Sequence, residues 1–363
     1  MKYYIIAGEA SGDIHGSHLI EAIMKEDPEA QIRCWGGDLM AAAGGQLVKH
    51  YRELAFMGFW EVIINLHTIF RNIHFCKQDI LAFVPDRIVY IDYPGFNMRI
   101  AAWAKNKGFE NHYYISPQIW AWKENRIHKI KRDLDALYTI LPFEKEYYRE
   151  KHQHDVHYVG HPLLDHLSPP PKQKLDVAIE KPVVALLPGS RLQEIERMLP
   201  LFLEVAEEFP DLQFVVAAAP SLPTAEYEKY LTKSSIQWVY NQTYALLSKA
   251  HLAVVTSGTA TLETALLNVP QLVCYRSSNI SYGIAKRLVK LPYISLVNLI
   301  ANRAVVRELI QEECTPNLIK KEIEQLLTPD KRAAMESAYT EIRELLGKES
   351  ASQKTAKFIV EGA

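Results

Sequence analysis

Two turns in the first half of the chain carry carboxylates where chemistry could be done. GEASGD, residues 8–13, leaves the apolar run YYIIA and presents Glu9 and Asp13. IDYPGFN, residues 91–97, leaves RIVY and presents Asp92 ahead of Pro94, Phe96 and Asn97. A carboxylate at the carboxyl end of a parallel strand faces the crevice in which open α/β sheets bind ligands. There it accepts hydrogen bonds from sugar hydroxyls or takes a proton from one of them. Asp92 is the first candidate for a general base and Glu9 the second. The bland alternative for the acidic turn is capping, with Asp13 as the N-cap of the helix that follows. The glycines at 8, 12 and 16 are four apart, which is not the spacing of a dinucleotide-binding turn.

The second half offers groups suited to phosphate. LLPGSRLQEI, residues 186–195, leaves a strand through Gly189 and presents Ser190 and Arg191 at a helix start. Free N–H groups there favour an anion, and a guanidinium matches phosphate oxygens bidentately. VVTSGTATLETALL, residues 254–267, repeats the arrangement with Ser257, Gly258 and Thr259, small enough to admit a diphosphate. Glu263, one turn into that helix, is spaced to accept hydrogen bonds from ribose hydroxyls. A surface arginine at an ordinary turn, and capping by Ser257 or Thr259, are the structural alternatives. Neither turn is GxGxxG or GxxxxGK[ST], which disfavours a dinucleotide site and an ATPase loop.

Two further stretches need placing. YYISPQIWAWKENRIHKIKR, residues 113–132, couples aromatics with Lys123, Arg126, Lys129, Lys131 and Arg132. It reads as a solvated helix face, or as a basic rim for a phosphate-bearing acceptor or an anionic bilayer. FWEVIINLHTIFRNIHF, residues 59–75, places Phe59, Val62, Ile63, Leu66, Ile69, Phe70 and Ile73 on one helical face. Such a stripe is core packing or, next to the apolar run LAFMGFW, a membrane-facing or lipid-holding surface. His15, His18 and the HQHDVH run at 152–157 lack partners at metal-ligand spacing, so no metal is expected.

These turns must be held by elements, and the alternation along the chain says which. Apolar runs at 3–8, 87–94, 111–116 and 136–141 read as buried parallel strands, with helical patterns at 18–26 and 96–108 between them. SPPPKQKLD, residues 168–176, reads as a linker. The alternation then restarts with strands at 183–189, 212–219, 251–258 and 271–276, and KRAAMESAYTEIRELLGKES reads as a terminal helix. The expected fold is α/β: two Rossmann-like domains facing a cleft. With 41 basic against 43 acidic residues, nucleic acid is not an expected partner. Four scattered cysteines argue against disulfides and fit a reducing cytoplasm. No secretory leader and no membrane-spanning run are expected.

GEASGD at 8–13, DxPxFN at 92–97, SPQIWAW at 116–122, GHPLLD at 160–165, LLPGSR at 186–191, TSGTATLE at 256–263 and LVNLIANR at 296–303 occur in that order. Together they resemble the lipid-A-disaccharide synthase family, from about residue 3 to about residue 316. The resemblance implies an inverting glycosyltransferase of the GT-B type. It implies joining of UDP-2,3-diacylglucosamine to 2,3-diacylglucosamine 1-phosphate (lipid X), forming the β-1,6-linked lipid A disaccharide 1-phosphate and UDP. It also implies no metal or other cofactor, and work on the inner face of the bacterial inner membrane, against its phospholipid surface.

On matching positions, Asp92 lies in the family's essential acidic motif, and Arg191, Glu263 and Asn298 fall where UDP is contacted. Glu9 and Ser11 lie in the first active-site turn, with Gly12, Asp13 and Asn97 expected on the acceptor side. Residues 1–172 are then the acceptor-binding, membrane-facing domain and 173–340 the UDP-sugar domain. Residues 341–363 form a helix that packs back on the first domain or is exchanged in a homodimer. The rivals are a UDP-sugar 2-epimerase of the same fold, for which an apolar stripe has no use, and a non-catalytic lipid- or UDP-sugar-binding protein.

Overall fold

The computed structural model describes residues 1–54, 66–167, 173–232, 234–278, 282–283 and 291–362. The chain forms two compact units, Met1–Ser168 with Leu346–Ala363, and Pro169–Leu345. The expected α/β, twin Rossmann-like fold is what is found.

In the first unit seven strands pair in parallel: β1 Lys2–Ala7, β2 Gln31–Gly36, β3 Gln46–His50, β4 Arg87–Ile91, β5 Glu110–Tyr114, β6 Ala136–Thr139 and β7 His157–Tyr158. Their order is β3-β2-β1-β4-β5-β6-β7, so the direction of winding reverses between β1 and β4. β1 is apolar without alternation because helices cover both faces of the sheet, and Tyr3 to Ala7 are fully buried. β2 and β3 were not legible as strands. Arg33 in the middle of β2 breaks the apolar run, and only the fold supplies its partner, Asp79 at 2.7 Å.

The second unit repeats the plan with β8 Val183–Leu187, β9 Gln213–Ala218, β10 Gln237–Tyr240, β11 Ala250–Thr256, β12 Gln271–Tyr275 and β13 Arg307–Ile310. Their order is β10-β9-β8-β11-β12-β13, with the reversal between β8 and β11. The two strands missed here, β10 and β13, are the sheet's edges. An edge strand is half-solvated and carries polar side chains that hide it.

The expected apolar stripe is only partly described. Phe59, Val62 and Ile63 lie outside the described residues, as does the side chain of Leu66. Within the helix Leu66–Phe83, Ile73, Cys76 and Ile80 are buried and Ile69 packs against the same core. Phe70 does not join them; it is 61% exposed on a flank of the helix, with Leu81 three turns further on. Among the described residues no helix is long and apolar enough to cross a membrane. Part of the proline-rich stretch, 168–172, is likewise outside the described residues.

The expected terminal helix is Pro329–Leu346, but it is not the last. The chain breaks at Gly347, whose φ of 91° suits glycine, and a further helix runs Ala351–Glu361. Its start is held by the GHPLLD segment. Asp165 accepts from the backbone of Ala351 at 3.0 Å and of Ser352 at 2.7 Å, and Tyr158 donates to the Leu346 carbonyl at 3.1 Å. The helix packs on the first helix of the chain, Ala10–Glu26.

Two buried histidines of this unit carry a pH dependence. Burial pushes His161 down to about 3, and burial with the neighbouring imidazoles of His161, His166 and His18 does the same to His15. Below about 6.5 the unfolded chain takes up protons that the folded chain refuses, so stability falls between there and about 3. The slope is about 1.4 kcal/mol per pH unit for each histidine. Denaturant midpoints should drop from pH 7 to pH 5.5. His161→Asn, which keeps an acceptor for the Leu163 amide bonded at 3.2 Å, should shallow the slope by one histidine's share; an unchanged slope counts against this account.

Candidate functional site

Both acidic turns of the first unit lie at its winding reversal. Parallel pairing sets Ala7 beside Ile91, so Gly8 and Glu9 leave one strand next to where Asp92 leaves the other. Glu9, not Asp13, is the N-cap residue of Ala10–Glu26, with extended backbone and an exposed side chain that caps nothing. Ser11 is exposed beside it, while Gly12 packs on β1, where a Cβ would sit 3.0 Å from that of Ala7.

Asp13 corrects the expectation in a second way. It is 4% exposed, and its carboxylate caps a different helix, Asp38–Ala42. Oδ1 accepts from Gly37 N at 2.7 Å and Met40 N at 3.0 Å, and Oδ2 accepts from Leu39 N at 3.2 Å. This acid is committed to backbone and shapes the turn from beneath.

Asp92 is differently placed. It keeps an exposed edge and accepts no side-chain donor, yet its pKa is raised to about 6. The protein packed around it strips hydration from the charged form, and the negative charge of Glu9 adds to that. A hydrogen bond from the Tyr93 amide and then the charge of Arg126 pull the other way and are the weaker influences. Asp92 and Tyr93 have φ of 42° and 50°, two consecutive left-handed residues without a glycine. Each costs roughly 1–2 kcal/mol and has to be held by its surroundings. Gly8 makes room for the turn: a Cβ there would lie 2.4 Å from the Tyr93 ring. Asn97 is fully buried, and its amide donates to the Asp92 carbonyl at 2.7 Å, so it supports the turn from inside.

The basic aromatic stretch is not one helix face. SPQIWAW is a loop tied down by Glu144, which is buried and accepts from Ser116 Oγ at 2.7 Å, Trp120 Nε1 at 3.3 Å, Ile140 N at 3.0 Å and Leu141 N at 2.9 Å. Of the cations, Arg132 pairs with Asp133 and Lys131 with the His152 carbonyl. Lys123 and Arg126 lie over the half-open Trp122 ring, 4.3 and 5.1 Å from its centre.

In the second unit Leu187 pairs with Val255, which again puts two turns side by side at the reversal. The Ser190–Arg191 turn differs from expectation. Its amides are not free: Glu194 Oε2 accepts from Ser190 N at 2.9 Å and Arg191 N at 3.2 Å. The carboxylate thus occupies the place expected for an anion, and a Cβ at Gly189 would lie 2.4 Å from it. The Arg191 side chain is 71% exposed, with only a 3.4 Å approach to Glu194. The other turn is open. A Cβ at Gly258 would meet nothing within 4 Å, and Thr259 is exposed at the start of the helix Thr259–Leu266. Ser257 Oγ is turned to the Ile294 carbonyl at 3.0 Å.

Glu263 accepts from Tyr244 at 2.7 Å, and burial raises its pKa. Asn298 is 1% exposed and its amide is fully used. It donates to Val306 O and Glu308 Oε1, both at 2.9 Å, and accepts from Val305 N at 2.8 Å and Val306 N at 2.9 Å. Glu308 also holds Ile294 N and Ser295 N at the start of the helix Leu296–Ala301. Among the described residues no group of three or more His, Cys, Asp or Glu side chains is placed to hold a metal.

The structure therefore gathers Glu9, Ser11 and Asp92 in one unit and Arg191, Gly258, Thr259 and Glu263 in the other as accessible groups. It withdraws Asp13, Asn97 and Asn298 into support roles. Sequence reading passed over Tyr113, Glu144, Glu194, Tyr244 and Glu308. Only Glu194 had a local signal, three residues after Arg191, the spacing at which a carboxylate folds back on a helix start.

A family model described as lipid-A-disaccharide synthetase matches residues 3–361. The lipid-A-disaccharide synthase of Geobacter metallireducens is 37% identical over 372 residues, covering 99% of this chain and 97% of that protein. That of Coxiella burnetii is 34% identical over 367 residues, covering 98% and 96%. Among solved structures, the UDP-GlcNAc 2-epimerase of Methanocaldococcus jannaschii, in complex with UDP-GlcNAc and UDP, covers 100% of both chains with a TM-score of 0.67 at 13% identity. The glycotransferase of kitacinnamycin covers 99% of this chain and 98% of its own with a TM-score of 0.66 at 12% identity. At such identities the structural likeness speaks for the fold alone, which epimerases and glycosyltransferases share. The sequence match, carried along nearly the whole length, decides between them: this chain belongs to the lipid-A-disaccharide synthase family.

Proposed function

We propose that this GT-B glycosyltransferase, whose lipid-A-disaccharide synthase activity follows from its family, uses Asp92 as the general base. The donor is UDP-2,3-diacylglucosamine and the acceptor 2,3-diacylglucosamine 1-phosphate. Asp92 takes the proton of the acceptor 6-hydroxyl as that oxygen attacks the anomeric carbon from the face opposite UDP. The anomeric C–O bond breaks, UDP departs with the electron pair, and the new linkage is β-1,6. The carrying observation is an accessible carboxylate at the winding reversal, lifted to about 6 by its surroundings and by Glu9. A base tuned toward neutrality combines the right protonation state with a strong pull on the proton.

In the second unit the exposed Arg191 guanidinium and the open helix start at Gly258 and Thr259 would steady the diphosphate. Glu263, held by Tyr244, would take the ribose hydroxyls. Ser190 and Ser257 line these turns through backbone, and Asn298 acts by holding the 302–306 loop.

The donor and acceptor are both acylated, which asks for a lipid surface. Phe70 and Leu81 stand exposed eleven residues apart on one helix, close to a whole number of turns, so they share a line. This supports peripheral attachment to the inner face of the inner membrane, led by Phe70 in place of the inward-packed Ile69.

Three outcomes test this reading. Asp92→Asn should lower turnover, followed as acceptor-dependent UDP release, by about 10²–10⁴-fold with UDP affinity kept. Wild-type turnover falls as pH drops through about 6, because the base must be ionised, and Glu9→Gln should move that limb lower. A Glu9→Gln loss as deep as that of Asp92→Asn would make Glu9 the base, and isomerisation of donor without acceptor would indicate an epimerase.

Arg191→Ala should weaken UDP binding by about 1.5–3 kcal/mol in calorimetry without changing the unfolding midpoint. Asn298→Ala should instead lower stability by about 1–3 kcal/mol for each amide left unpaired. The reverse pattern would reassign both residues.

Phe70→Ser with Leu81→Ser should reduce co-sedimentation with anionic phospholipid vesicles while the protein stays folded. Undiminished sedimentation would remove this face from the membrane reading.

A further inference from the structure

The Asp92 turn is gripped from below at a single atom. The Asp92 carbonyl oxygen accepts from Tyr113 Oη at 2.5 Å and from Asn97 Nδ2 at 2.7 Å, filling both its lone pairs. Both donors are fully buried. On the other side of the residue, Asp92 N donates to the Tyr114 carbonyl at 3.1 Å, which extends the β4–β5 pairing by one step. The peptides flanking Asp92 are thus pinned in a left-handed conformation that the residue would not choose alone.

The two donors do different work. Asn97 Nδ2 also lies 3.3 Å from the carbonyls of Ile6 and Ile91, so it binds the ends of β1 and β4 together. Removing it would disturb the sheet as well as the turn. Tyr113 reaches up from β5, and its hydroxyl hydrogen goes to the Asp92 carbonyl. Its ring packs beside Tyr90, with centroids 5.8 Å apart. Burial holds the phenol well above its ordinary pKa, so it remains a donor throughout the working range.

We infer that Tyr113 is a positioning residue of the glycosyl transfer: its hydroxyl, acting through the Asp92 backbone carbonyl, sets the direction in which the Asp92 carboxylate meets the acceptor hydroxyl. The inference rests on the reading of Asp92 as the base. The carboxylate is two bonds beyond the pinned backbone, and a small change in φ swings it away from the line of proton transfer. Proton transfer needs hydrogen-bond reach and alignment, so a misplacement of about 1 Å is felt in turnover.

Tyr113→Phe keeps the ring and deletes one donor. It should lower kcat roughly 10- to 100-fold, with KM for the UDP-sugar and the unfolding midpoint little changed. In an Asp92→Asn background, where no base is left to aim, the same substitution should cost nothing further.

Wild-type kcat in Tyr113→Phe, with Asp92→Asn crippled, overturns the positioning role and leaves the base standing. An equal loss from Tyr113→Phe in both backgrounds does the same. Wild-type turnover in Asp92→Asn overturns the base, and the role of Tyr113 with it.

Discussion

The parallel pairing of β1 with β4 is the constraint from which the first unit's chemistry follows. The two strands are neighbours in the sheet but are separated in the chain by β2, β3 and the helices between them. Winding therefore reverses at this pair, and the connections leave it on opposite faces. Helices cannot cover the carboxyl ends of strands at such a place, and the crevice that remains is lined by the first residues after each strand. Register makes those residues Gly8 and Glu9 on one side and Asp92 on the other. The same geometry operates between β8 and β11, where it aligns the turn at 189–191 with that at 257–259. One topological feature, used twice, sets two strand-end turns side by side in each unit.

Carboxylates illustrate how the fold sorts one residue type into different work. Asp13, Glu194 and Glu308 each take backbone amides at a helix start, and Glu144 takes two backbone amides beside Ser116 and Trp120. An acid surrounded by donors is held in place by them, and it acts as a structural bolt. Asp92 has a single backbone donor, the Tyr93 amide, at its carboxylate and shares its surroundings with another negative charge. Its proton affinity is raised, to a pKa of about 6, while its side chain stays at the surface of the turn. Loss of hydration with few compensating hydrogen bonds, at an exposed strand end, separates this acid from the bolts.

The fold would not have chosen the reaction. Epimerases that handle UDP-sugars and transferases acting on other molecules share this architecture at identities of 12–14%. The architecture leaves open the set of side chains at the winding reversals and the surfaces beside them. Here those are an acid pair in the first unit, an exposed arginine with an open helix start in the second, and bulky apolar residues on the outer line of a surface helix.

The sequence alone determined the class of fold, the long internal strands and the positions of the turns that follow them. These are local properties: an apolar run, a glycine, a helix start. Identification of the family followed from seven short segments in order. The edge strands β3, β10 and β13 and the mixed strand β2 escaped because their polar residues are answered only by partners brought from elsewhere. For the same reason the sequence ranked Asp13, Asn97 and Asn298 with the ligand-binding groups. Each is polar near the start of a helix, and nothing within a few residues reveals the amides and carbonyls that fill its bonding capacity. Only tertiary structure decided which acids are capped and which is left exposed with a raised pKa. Burial and hydrogen-bond partners are set by chain segments tens of residues apart, and they govern the free energy of a charge more strongly than its neighbours in sequence do.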